Sequence, residues 1–379
     1  MHRKIHPLLL FITCILAAAL LGMACSTSTS PTGTQSKNPQ VNENVPTNEE
    51  APPAEAPQSP SQPGATRQNP ITIDQLVSTP GWDVRVQEFY RGDQALEILR
   101  QDSPDTQPPP DGSEYAVASV YIRCTNIDDA SHSISLSEMY MTGDQLGAHT
   151  DEFDELPAPE FLYKDLYTAE TFVGWVDAII PTSEQNMILV FDPMSGDDVA
   201  APYYFALEEG ASIPIPENFQ GIQPSPKGQD PASPLPMGET AVTEDWQVRV
   251  LEVVRGDEAL SVVKDTSPMN EPLEEGMEYI LVRLGLDFIS TVDRPVSLNE
   301  QNFRSHDQNG GEIWQSGVYL PKPWTRPWVY TSLFPGAQYE GWAVLKAPKN
   351  ESGVTLVFDP DVNAPAHPRE NIRYLALEP

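Results

Sequence analysis

The stretch Asp359-Pro-Asp361-Val-Asn363 alternates oxygen-bearing side chains and reaches Glu370 at the twelfth place, the oxygen spacing of a calcium loop. The glycine such a loop needs at its sixth place is Ala364, and Pro360, Pro365 and Pro368 interrupt it. A regular loop is therefore excluded. The expectation is no metal centre beyond a loose Ca²⁺ site on Asp359, Asp361 and Asn363, with no other cofactor. Other acidic loops hold Asp192, Asp197 and Asp198, and residues 151–155. Outside the N-terminal apolar region the histidines are His132, His149, His306 and His367, and none pairs at metal-ligand spacing. Ser261-Val-Val-Lys264 matches S-x-x-K, whose serine must open a helix with the lysine one turn on; it lies in a run that reads as a strand. With no other nucleophile or phosphate-loop motif, the chain reads as not an enzyme. Arg-Gly-Asp occurs at 91–93 and again at 255–257, where a Gly-Asp turn after a strand explains it better than adhesion. Cys124 falls on a core-facing position and reads as a buried, inert thiol.

Aromatic chemistry is concentrated in one place. Residues 312–336 carry Trp314, Tyr319, Trp324, Trp328 and Tyr330 with Lys322 and Arg326 among them, and these tryptophans have no partner elsewhere in the chain. Such a platform suits stacking on a sugar face or anchoring a protein partner. Trp314, Tyr319, Trp324, Arg326, Trp328 and Tyr330 are the candidate binding residues. A glycan-binding role predicts that Trp324 and Trp328 are exposed and coplanar. The competing expectation is that this long connection folds over an open edge and buries them. The net charge of −33 argues against a nucleic-acid partner, which would require a basic face.

The N-terminus gives an address. Arg3 and Lys4 precede an uncharged apolar run from Leu8 to Leu21, too short to span a bilayer and of the length of an export signal. Gly22-Met-Ala24 then leads to Cys25. This resembles the lipobox of bacterial lipoproteins, with Gly22 where that family usually has leucine. The resemblance implies cleavage after residue 24, lipid on Cys25 and attachment to a membrane on its extracytoplasmic face. Residues 26–70 hold nine prolines and no aromatic residue. They cannot bury enough apolar surface to offset chain entropy, so 25–70 is expected to be a disordered tether.

The rest of the chain is duplicated. WDVRVQEFYRGDQALEILRQDSP (82–104) and WQVRVLEVVRGDEALSVVKDTSP (246–268) share 12 of 23 residues. Later blocks match as well: VGWVDAIIP with EGWAVLKAP, MILVFDP with VTLVFDP, YFALE with YLALE. Residues 71–209 and 235–379 are therefore read as two domains joined by a proline-rich linker, 210–234. Period-two alternation puts Ala116, Ala118, Val120, Ile122 and Cys124 on one face, and Ile280, Val282, Leu284, Leu286 and Phe288 on another. The fold class that follows is all-β, two tandem sandwiches with few helices.

The order of Trp82/Trp246, Glu114-Tyr115/Glu278-Tyr279, Gly174-Trp175/Gly341-Trp342 and Phe191/Phe358 resembles an Ig-like family common in bacterial surface lipoproteins. That resemblance implies Ig-like sandwiches and brings no activity. The function expected is non-catalytic binding or structural presentation at the cell surface, with a protein or glycan partner. The alternatives are a carbohydrate-binding accessory and a calcium-dependent adhesion module.

Overall fold

The computed structural model describes residues 62–150, 163–193, 201–215, 222–267, 270, 273–314, 318, 327–364 and 368–378. The signal, Cys25 and most of the proposed tether lie outside these residues. In the first repeat the elements are β1 (Val77–Thr79), β2 (Trp82–Arg91), α1 (Asp93–Asp102), β3 (Ser113–Cys124), β4 (His132–Ser135), β5 (Met139–Thr142), β6 (Tyr163–Leu166), β7 (Thr171–Pro181), β8 (Ile188–Phe191) and β9 (Tyr203–Ala206). The second repeats the plan: β10 (Ala241–Val242), β11 (Trp246–Arg255), α2 (Gly256–Thr266), β12 (Met277–Phe288), β13 (Val296–Ser297), β14 (Phe303–His306), β15 (Glu312–Ile313), β16 (Ser332–Leu333), β17 (Gln338–Pro348), β18 (Thr355–Phe358) and β19 (Arg373–Ala376).

Each repeat is a two-layer sandwich of antiparallel sheets. The first layer is β1-β2-β3-β7 in one copy and β10-β11-β12-β17 in the other; the second is β5-β8-β9 and β15-β14-β18-β19. Small ladders, β4-β6 and β13-β16, close one end of each. The alternating residues of β3 and β12 fill the space between layers, as their period requires. Trp246 stacks on Phe288 at 4.4 Å between ring centroids and meets Phe358 edge-on, so one indole joins both layers.

Two segments that read as strand continuations are helices. Ala95 and Leu99 in α1, and Ala259 and Val263 in α2, lie four residues apart on one helical face. That face packs on the outer surface of the first layer, against Val117 and Trp175 or against Tyr279, Leu281 and Trp342. The β-branched pair Val262-Val263 suits strands by propensity, and tertiary packing overrides it. Ser261 therefore sits on a helix after all, but exposed and mid-helix, with Lys264 exposed one turn on. The Gly-Asp turn is present and serves as the helix entry: Gly92 and Gly256 have φ of 63° and 67°.

The repeats also begin earlier than composition implies. Ile71 bridges in parallel to Phe205, and Leu235 bridges in parallel to Leu375. Upstream, Tyr204 N–H donates to Gly64 O and Tyr374 N–H to Gly228 O. Residues 62–71 are thus an edge segment of the first sandwich, and part of the expected linker is the same segment of the second.

The helix entry makes a prediction. A Cβ at Gly92 would lie 2.9 Å from Glu114 Oε2, whereas at Gly256 the nearest atom, Glu278 Oε2, is 3.6 Å away. Both alanine substitutions incur the left-handed backbone penalty of about 1–2 kcal/mol. Chemical denaturation should therefore show Gly92→Ala as the more destabilising of the two.

Candidate functional site

The duplicated polar residues form ties rather than a reaction centre. Arg91 pairs with Glu114 at 2.5 Å and Glu208 at 2.9 Å, and donates to Glu184 O. Arg255 pairs with Glu278 at 2.7 Å and Glu378 at 3.1 Å, and donates to Glu351 O. In each copy the arginine of Arg-Gly-Asp thus knots β2 or β11 to β3 or β12 and to the chain after the last strand. Forked guanidinium–carboxylate geometry explains why arginine stands in both places. Its engagement removes the arginine an adhesion motif would present.

The aromatic segment divides. Trp328 is fully buried, which corrects its reading as an exposed stacking platform. It bridges in parallel to Trp342 beside the β17 edge, packs in the cluster with Ala259 and Val263, and stacks over Tyr330 at 6.5 Å with 7° between planes. Tyr330 Oη accepts from Val344 N–H, and burial raises its phenol. Tyr339 donates its hydroxyl to Trp328 O, and burial pushes its phenol up to about 12. The connection folds onto its own sandwich here, because a large apolar ring gains more against the sheet than in water. Tyr319, Trp324 and Arg326 lie outside the described residues. Trp314 alone stands out, half exposed, with its ring 4.3 Å from the Arg304 guanidinium carbon.

The acidic loop is committed elsewhere. Asp359 is fully buried and pairs with Arg304 Nη2 at 2.8 Å, while Asp361 accepts from Asn371 Nδ2. This corrects the pairing of Asp359 and Asp361 as calcium ligands: a carboxylate held by a buried guanidinium serves as its counter-ion. Asn363 lies in the turn that follows. No group of three or more His, Cys, Asp or Glu positioned to hold a metal is found among the described residues. Cys124 is buried and unpaired.

The most built polar arrangement is one that the sequence reading passed over, the seam between the repeats. The outward face of β8 and β9 offers Ile188, Val190, Tyr204 and Ala206, and Leu333, Phe334 and Leu298 of the second repeat belong to the same continuous core. The backbones join: Phe334 N–H donates to Leu146 O, and Ala148 N–H to Ser332 O, both at 2.8 Å. Arg67, fully buried, lies 3.2 Å from Asp293 and donates to Pro335 O at 2.6 Å. Tyr204 donates its hydroxyl to Asp293 O at 2.7 Å, and Arg294 pairs with Asp192 at 3.1 Å. A signal for this existed. In ILVF (188–191) and YYFA (203–206) both faces of the strand are apolar, the mark of a sheet covered on both sides.

Comparisons with known proteins add little. The sequence matches no family model. No curated protein matches it. Among solved structures, the YjhA protein of Bacillus subtilis is similar at 12% identity over 36% of this chain and 99% of that one, with a TM-score of 0.28. A candidate lipoprotein of the same species, YcdA, aligns at 14% identity over 34% of this chain and only 37% of its own, with a TM-score of 0.27. A β-sandwich protein of Clostridium difficile aligns at 11% identity over 41% of this chain and 99% of that one, with a TM-score of 0.24. None of these likenesses assigns an activity to this chain.

Burial pushes the carboxyls of Asp293 and Asp192 above the ordinary 3.8, despite Arg67 and Arg294 respectively. The folded state therefore holds these protons more tightly than the unfolded chain does. Their contribution to stability is complete below pH 3.8 and is lost as pH rises through the raised values. Asp293→Asn should gain stability relative to wild type as pH goes from about 4 to about 7. Parallel thermal melts check this, and an Asp293→Asn variant that loses stability relative to wild type as pH rises would contradict it.

Proposed function

We propose that this protein is a non-catalytic module of the bacterial cell surface, held by lipid on Cys25, whose fused sandwiches present a fixed surface for binding. The observation that supports this most is the seam. Two repeats joined by one apolar cluster, two backbone hydrogen bonds and four side-chain contacts would move as a single rigid body. Rigidity across two domains suits a spacer or platform, because a partner is then met without ordering a hinge. The proline-rich N-terminal region would let that body clear the envelope. As a flexible coil, 45 residues reach roughly 40 Å.

The Ig-like reading fits the same proposal. The arginines of both Arg-Gly-Asp motifs and the buried Asp359 serve the fold. Binding therefore belongs to the outer surface, where Tyr163 and Tyr167 of the first repeat and Trp314 of the second are exposed.

Fractionation of expressing cells tests the anchor. Wild type should partition with membranes, and Cys25→Ala should appear in the soluble extracytoplasmic fraction. Retention of Cys25→Ala in membranes would count against lipid attachment at that residue.

A further inference from the structure

Apart from Arg67, whose place is taken by Pro231, the parts of the seam recur in the other copy and show what a third sandwich would meet. The knob of the second repeat is Ser332-Leu333-Phe334 with Asp293 and Arg294. The pairing of His132 with Leu166, like that of Val296 with Leu333, places Asp165-Leu166-Tyr167 and Asp129-Ala130 in the same positions on the first repeat. The turns that follow agree, since Ala169 N–H donates to Cys124 O just as Gly336 N–H donates to Phe288 O. Nothing described covers this first knob: Tyr167 is 54% exposed, where its counterpart Phe334 is fully buried.

The seat recurs as well. In the first repeat Tyr140, Val190 and Tyr204 form one cross-strand row on the seat, beside the edge at Leu146, Gly147 and Ala148. On the second repeat the matching row is Arg304, Val357 and Tyr374, and the matching edge is β15. Continuing the β14–β15 register puts Trp314 opposite Arg304 and Glu312 opposite His306.

Three changes close this second seat. Arg304 replaces Tyr140 and pairs within its own domain with Asp359 at 2.8 Å and with Glu312 at 3.6 Å; Asp359 is the counterpart of Asp192, which in the first repeat pairs with Arg294 from the other domain. Trp314 lies across Arg304. Glu312 replaces Ala148, the residue whose N–H meets Ser332 O, and the incoming knob carries Asp165 where Ser332 stood. A third sandwich would therefore place Glu312 against Asp165 and find no cation from Ala130. Like charges opposed across a strand pair repel, and a charged edge strand resists pairing.

We propose that the tandem is a self-terminating stack: Trp314, Arg304 and Glu312 close the second seat against the first knob of another copy of this chain. Heterologous contacts that repeat without closing build open chains, so two repeats with one live seam need such a stop.

Sedimentation of residues 56–379, one compact unit with its own cores, tests this. Wild type should remain a monomer. A variant combining Asp165→Ser, Glu312→Ala and Trp314→Thr changes only exposed positions to their counterparts in the working seam. It should self-associate at least about tenfold more tightly, with mass rising continuously with concentration, and adding Tyr167→Asp should reverse the effect. Wild type that associates through Tyr167, or a folded triple variant that stays monomeric, overturns the proposal. Should the triple variant melt early, Asp165→Ser with Glu312→Ala, which leaves Trp314 on Arg304, must show the same trend or the proposal fails.

Discussion

The outer face of β8 and β9 is too apolar to be left in water, and the rest of the structure is arranged around covering it. Ile188, Val190, Tyr204 and Ala206 would otherwise form a contiguous exposed patch of the kind soluble domains avoid. The second repeat supplies the cover, with Phe334 at its centre. Once that surface is dry, its polar groups must be paired within it. Arg67 illustrates the consequence: a guanidinium with no exposure, held by Asp293 and Pro335 O, loses several kcal/mol of stabilisation if either charge is deleted. The segment around residue 67 is therefore part of the seam.

Duplication followed by divergence is visible residue by residue. Residues that hold each sandwich together have stayed the same: the arginine of Arg-Gly-Asp, its glutamate partners, the glycine that turns into the helix and the tryptophan under the first layer. Residues at the seat have separated in type. Tyr140 corresponds to Arg304, Ala148 to Glu312 and Thr150 to Trp314, so one seat is apolar and occupied and the other is polar. Trp328 thickens the cluster beneath α2 in the second repeat, and the corresponding position of the first repeat lies outside the described residues.

The all-β architecture was legible in the sequence because period-two alternation and internal repetition depend on local spacing alone. The core positions along β3 and β12 followed directly from it. The two helices were not, since each is short and is fixed by a sheet face supplied by distant residues. The binding segment was legible only as composition: the aromatics of 312–336 were found, but whether an indole faces water depends on what packs against it, and Trp328 packs inward. Asp359 followed the same logic, its role set by Arg304, 55 positions away. The seam was missed although ILVF and YYFA announced it, because two apolar faces on a strand do not say which partner covers the second.

Calorimetry of residues 56–379 beside Phe334→Asp tests the shared core most directly. A single cooperative transition for the wild type, split into two by a charge placed at the centre of the seam, is the expected result. Two transitions in the wild type, unchanged by the substitution, would show that the sandwiches are independent and that the seam holds nothing together.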